Sequence, residues 1–182
     1  VDYEALKLWR DNGCEVVLYG IESGSEKMLK VMEKKITRAE NLQALKDTYH
    51  AGLSTVIQLV IGMPGETDET IEETVDFLKE TMKYYPDPFR NKLNYLISIN
   101  YAQSLPGTPL YEYARENGFI EKSIDGEEKY LISISDKDAY DNDHFINFTQ
   151  QPLLKVLSWR YLMNWKIFRE HVRQHLKIDI PK

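Results

Sequence analysis

Three short stretches of this chain carry residues whose types and spacing suit ligand chemistry. They are GIESGS at residues 20–25, QLVIGMPGET at residues 58–67 and SLPGTPLYEYARENG at residues 104–118. Glu22 ends an apolar run and is followed by Ser23 and Ser25, and Gln58 lies within a second apolar run. A carboxylate and an amide presented side by side suit ribose hydroxyls or the amino group of an amino acid. The glycines and prolines of the same stretches let a flat ligand approach the backbone and bond to its amides.

These residues can meet only if the runs that carry them are neighbouring strands. The pattern alternates: a helix at residues 2–12, a strand at 15–21, helix pieces at 25–33 and from Thr37, a strand at 54–61, a long helix from Thr67 or Asp68, a strand at 93–101, and a helix opened by Thr108 and Pro109 and ended by Gly118. Thr37 with Glu40 has the capping-box spacing, and Pro109 stands at a first helical position. The long helix is expected to stop before Pro86 and Pro88. Strands apolar on both faces and joined by helices indicate a parallel sheet with right-handed crossovers, covered on both sides. All three polar stretches then fall at carboxyl ends of strands, where such sheets bind ligands. Residues 121–151 read as irregular, with one strand at 130–134. A long helix follows at 152–176, with a stripe through Leu154, Leu157, Tyr161, Trp165, Phe168, Val172 and Leu176.

Composition narrows the classes. With 182 residues, 42% hydrophobic and 29% charged, the chain is globular. It has no run of the ~20 apolar residues that a membrane span needs. A net charge of −6 argues against a nucleic-acid surface, and the plain reading is a soluble cytoplasmic protein. Cys14 is the only cysteine, which rules out a disulfide framework or a cysteine-built metal centre within these residues.

In order and spacing, GIESGSEKMLKVMEKKIT, IGMPGET and PGTPLYEYARENG resemble the second half of a radical S-adenosylmethionine (radical SAM) domain. They are nearest to its methylthiotransferase-like and oxygen-independent coproporphyrinogen-oxidase-like branches. The resemblance spans about residues 2–119. It implies an α/β fold: a six-stranded partial (β/α) barrel of which residues 1–119 form the last three strands and helices, with a C-terminal extension at 120–182. It also implies contacts to S-adenosylmethionine by Glu22 and Ser23 after the fourth strand, a carboxylate partner in Lys34 and a ribose contact in Gln58. The backbone of Ile61, Gly62 and Met63 would lie against the adenine. The implied activity is reductive cleavage of S-adenosylmethionine to a 5′-deoxyadenosyl radical that takes hydrogen from a small-molecule substrate. The tail resembles those of cobalamin-dependent, anaerobic tetrapyrrole cyclase-like members, which leaves a cobalamin cofactor open for the whole enzyme.

One departure is large. The family's 4Fe–4S cluster is held by a CxxxCxxC loop, and this chain has none. The expectation is therefore a fragment whose missing N-terminal half supplies the cluster, inactive alone. It would either self-associate through its open edge and inner face or fold the 152–176 helix across them. The alternative is a free-standing α/β module that binds a nucleotide or a protein without catalysis. Plainer roles also fit single residues. Glu22 could cap the helix near Ser25, Lys34 could sit solvated at a helix end, Glu66 could simply begin the next helix, and Cys14 could be a small buried residue.

Overall fold

The computed structural model describes residues 1–84, 95–135 and 145–178. In chain order its elements are α1 (Tyr3–Asp11), β1 (Val16–Glu22), α2 (Glu26–Val31), α3 (Arg38–His50), β2 (Ser54–Ile61), α4 (Asp68–Thr81), β3 (Tyr95–Tyr101), α5 (Pro109–Glu116), α6 (Ile124–Ser135) and α7 (Leu153–Leu176). Pro86, Pro88 and the expected strand residues Leu93 and Asn94 lie outside the described residues.

Local chemistry sets the helix starts. Asp2 accepts the Ala5 amide at 2.9 Å, Thr37 and Glu40 close a reciprocal capping box, and Thr108 caps α5 with Pro109 at its first position. The three strands pair in parallel in the order β1-β2-β3, with Gly20 beside Gln58 and Gln58 beside Ser98. Among the described residues the sheet has these three strands.

Alternation along β2 divides its side chains between two faces. Ile57, Leu59 and Ile61 are buried in a core with Ile21, Ile71, Val75, Leu78 and Ile99. Gln58 and Val60 point the other way. On that face Leu18 is 60% exposed and Leu96 58%. The expected cover on both sides is therefore found on one side only among the described residues, and Gln58 and Val60 face the open side.

The last helix corrects two expectations. It packs against α4 on the covered side rather than across the edge or the open face. Val156, Trp159, Arg160, Met163, Ile167 and Val172 are buried on it; of the expected stripe Val172 is buried and Leu157 half-buried, while Leu154, Tyr161, Trp165, Phe168 and Leu176 are exposed. Trp159 Nε1 donates to Asp68 Oδ1 at 2.7 Å, Lys155 pairs with Asp68 at 2.6 Å, and Lys166 pairs with Glu72. These polar contacts select the docked face. A further correction concerns residues 130–134, expected as a strand, which belong to α6. Ser123 Oγ accepts the Gly126 amide at 3.1 Å, and Tyr130 donates to the Ser104 carbonyl at 2.8 Å; this local cap and the anchoring phenol override the β-branched composition.

Gly24, between β1 and α2, sits against α4. A Cβ there would lie 2.5 Å from Phe77 Cβ and 2.8 Å from Thr74 Cα, neither of which can swing away. Gly24→Ala is expected to destabilise the chain by about 2 kcal/mol in urea unfolding through overpacking. An unchanged midpoint would show that α4 is not seated on this turn.

Candidate functional site

The site begins where β1 stops being regular. Gly20 pairs with Gln58 and Glu22 with Leu59, so Ile21 is the extra residue of a bulge. Ile21 stays in the core, and Glu22 takes a left-handed backbone with φ 64°. A non-glycine residue in that region costs on the order of 1 kcal/mol or more. The distortion turns the Glu22 side chain back over Gly20, where its Oε1 meets Lys34 Nζ at 2.9 Å. Glu22 is thus paired rather than capping α2, and Lys34, although exposed, is paired with it.

Glu22 and Gln58 share a cleft of about 330 Å³ at the carboxyl ends of the strands, walled by Val60, Met63, Asn100 and Gln103. Asn100 Nδ2 donates to Ser98 Oγ at 3.2 Å, whereas the Gln58 amide has no hydrogen-bond partner among the described residues. A carboxylate and an uncommitted amide therefore face one space from neighbouring strands.

Ser23 and Ile61 lie elsewhere. Ser23 is 1% exposed, with its hydroxyl 3.0 Å from Thr74 Oγ1 and accepting the Ser25 amide. It fixes the turn to α4 and does not reach the cleft. Ile61 is 1% exposed on the core side, and its carbonyl accepts the Ala102 amide at 2.8 Å.

The loop after β2 holds a residue whose structural part the sequence did not reveal. Glu66 is 1% exposed, and its Oε2 accepts the amides of both Gly62 and Met63. Lys27 Nζ donates to the Gly65 carbonyl at 2.7 Å on the same loop. Burial pushes the Glu66 carboxyl up to about 7, while the two amides and the Lys27 charge pull the other way without prevailing. The acid ties the loop to itself and so fixes where Met63 stands in the cleft wall. The signal that could have found it is an acid closing a Pro-Gly turn, four residues after a strand-end glycine. Among the described residues, no group of three or more His, Cys, Asp or Glu is placed to hold a metal ion. In the same residues no helix is long and apolar enough to cross a membrane.

The described residues form an α/β fold with a three-stranded parallel sheet and a polar cleft at its strand ends. Residues 1–78 match the model of the radical SAM superfamily, so this part of the chain is similar to that superfamily. It is 33% identical over 119 residues to an uncharacterized methyltransferase of Pyrococcus horikoshii, covering 63% of this chain and 22% of that protein. It is 29% identical over 182 residues to a provisionally named methylthiotransferase of Methanocaldococcus jannaschii, covering 95% of this chain and 38% of the relative. It is 30% identical over 115 residues to the anaerobic magnesium-protoporphyrin IX monomethyl ester cyclase of Cereibacter sphaeroides, covering 63% and 17%. The chain therefore spans well under half the length of these curated relatives.

Proposed function

We propose that this chain supplies the adenosyl-binding half of a radical SAM active site. The observation that carries the proposal is the meeting of Glu22, Gln58, Asn100 and Met63 in one cleft at the strand ends. The residues fit the organic part of S-adenosylmethionine. In this reading Gln58, with its uncommitted amide, and Glu22 would meet ribose hydroxyls and Met63 would meet the adenine, while Lys34, paired with Glu22 outside the cleft lining, would have to leave that pair to reach the carboxylate. When bound, the cofactor supplies hydrogen-abstraction chemistry toward a small-molecule substrate. The chain's own groups bind, orient and exclude water.

The residues do not fit the 4Fe–4S cluster. A cluster needs several thiolates, and Cys14 stands alone at the start of β1, its Sγ 3.5 Å from the Val16 carbonyl. In this proposal the cluster ligands come from residues outside these 182. Cobalamin use by the whole enzyme rests on the tail's resemblance alone.

The competing reading, an α/β module that binds a nucleotide without catalysis, predicts a self-sufficient site. Isothermal titration separates the two. For the chain alone we expect S-adenosylmethionine to bind with a Kd near about 1 mM, roughly −4 kcal/mol, because the groups that would chelate iron find no partner. Gln58→Ala should weaken it further. Tight, stoichiometric binding without iron would favour the module.

A further inference from the structure

Beside the Glu22–Gln58 cleft lies a larger one of about 440 Å³, a size that suits a small organic molecule. Its walls are Val31 and Met32 from the end of α2, Met63 and Pro64 from the loop after β2, and Leu110 and Tyr113 from α5. Among the described residues, no lysine or arginine lines it. Its one charged group is Glu33, held at φ 54°, whose carboxylate has no hydrogen-bond partner among the described residues. Its one uncommitted amide is Gln103, since the Thr108 hydroxyl is already spent on Leu105 and Tyr111. Met63, Gln103 and Leu110 line both clefts, so a molecule in the larger one abuts whatever fills the smaller.

We propose that this larger cleft receives the substrate, and that the substrate is a non-phosphorylated molecule with an apolar body and a cationic or hydrogen-bond-donating group directed at Glu33. The proposal rests on the cofactor reading of the smaller cleft, which makes the shared wall the place where substrate and adenosyl group meet. Apolar walls cannot compensate the desolvation of a phosphate, and a lone carboxylate at the rim repels one. The two methionines supply soft, adaptable walls for a flat or branched hydrocarbon. A nucleic-acid substrate would need basic groups along its path, and this cleft offers the opposite charge.

The chain's five methionines make the test internal. Met28, Met82 and Met163 are buried and serve as references, Met32 lines only the larger cleft, and Met63 lines both. With the methionine methyls of the 182-residue chain labelled, 1-naphthylmethylamine is expected to shift Met32 and Met63 saturably. 1-Naphthyl phosphate, with the same ring and the opposite charge, should bind at least about tenfold more weakly. Glu33→Gln, an exposed change, should narrow that ratio while leaving the reference methyls in place. Equal or tighter binding of the phosphate, or amine shifts that spare Met32, would overturn the proposal. Adenosine, titrated separately, should move Met63 and not Met32. If adenosine moves neither while the amine behaves as expected, the cofactor reading fails and the charge selectivity of the cleft stands.

Discussion

Trp159→Ala is expected to cost the fold about 3 to 5 kcal/mol, the usual range for deleting a buried tryptophan from a core. The indole is 1% exposed and belongs to the same core as the strand residues Ile57, Leu59 and Ile99, so its removal opens a void that neither α4 nor the sheet can easily fill. Its N–H also holds Asp68 at the start of α4, and together with Lys155 it keeps the Asp68 carboxyl below the usual carboxylate range. Against a total stability of about 5 to 15 kcal/mol, the loss would remove a large share of the whole. Trp165, 45% exposed on the same helix, is the control; Trp165→Ala should stay within about 0.5 kcal/mol. Urea unfolding of the two variants reads the difference directly. Equal costs would mean that α7 is not docked on α4 through Trp159.

The second large effect is a pH dependence centred on Glu66. Its carboxyl, ordinarily near 4.5, is pushed up to about 7 by burial, so between those values the folded chain keeps a proton that the unfolded chain has released. The folded state binds more protons there, and stability must therefore fall as pH rises from about 4.5 to 7, then level off. At roughly 1.4 kcal/mol per pH unit, the displacement amounts to about 3 kcal/mol. Other carboxylates act in the opposite sense. Those of Glu40 and Asp68 are held below their ordinary values by hydrogen bonds, so they add stability as pH rises through the acid range. The clean quantity is the wild-type stability minus that of Glu66→Gln, measured by urea unfolding from pH 4.5 to 8. We expect that difference to decline with pH, since the glutamine keeps a carbonyl for the Gly62 and Met63 amides and never ionises. A flat difference curve would show that the ionised acid is fully compensated in place.

Much of the framework was legible because its signals are local. The run from Ser54 to Ile61 matches β2 at both ends, and Thr37, Glu40, Thr108 and Pro109 take the capping roles that their order along the chain implies. What was misread depends on partners that sequence spacing does not reveal. Leu153, Leu154, Val156, Leu157 and Trp159 put apolar residues on several sides of the first turns of α7, and the pairing of Lys155 and Trp159 with Asp68 and of Lys166 with Glu72 marks the side that docks. The YLISIS run carries strand-like residues, and it is the Ser123 cap and the Tyr130–Ser104 contact that make it helical. In the candidate site, the side chains of Glu22 and Gln58 share a cleft as their strand-end positions implied. The inward turn of Ser23 and the burial of Glu66 follow instead from packing against α4 and from the closure of a loop.

The bulge in β1 ties the fates of two positions. Because Glu22 folds back over Gly20, its Oε1 would lie only 2.8 Å from a Cβ at position 20, and Lys34 holds that oxygen in place. Alanine at 20 would push the flexible end of Glu22 aside and disturb its pair with Lys34, whereas a shorter residue at 22 would remove that contact. The two substitutions are thus epistatic, with effects that do not add, as is general for residues sharing one contact. An evolving lineage could fill position 20 without disturbing the Glu22–Lys34 pair only by first giving up the acid. Once alanine stands at 20, a glutamate returning at 22 would have to take another side-chain conformation, away from its place over residue 20.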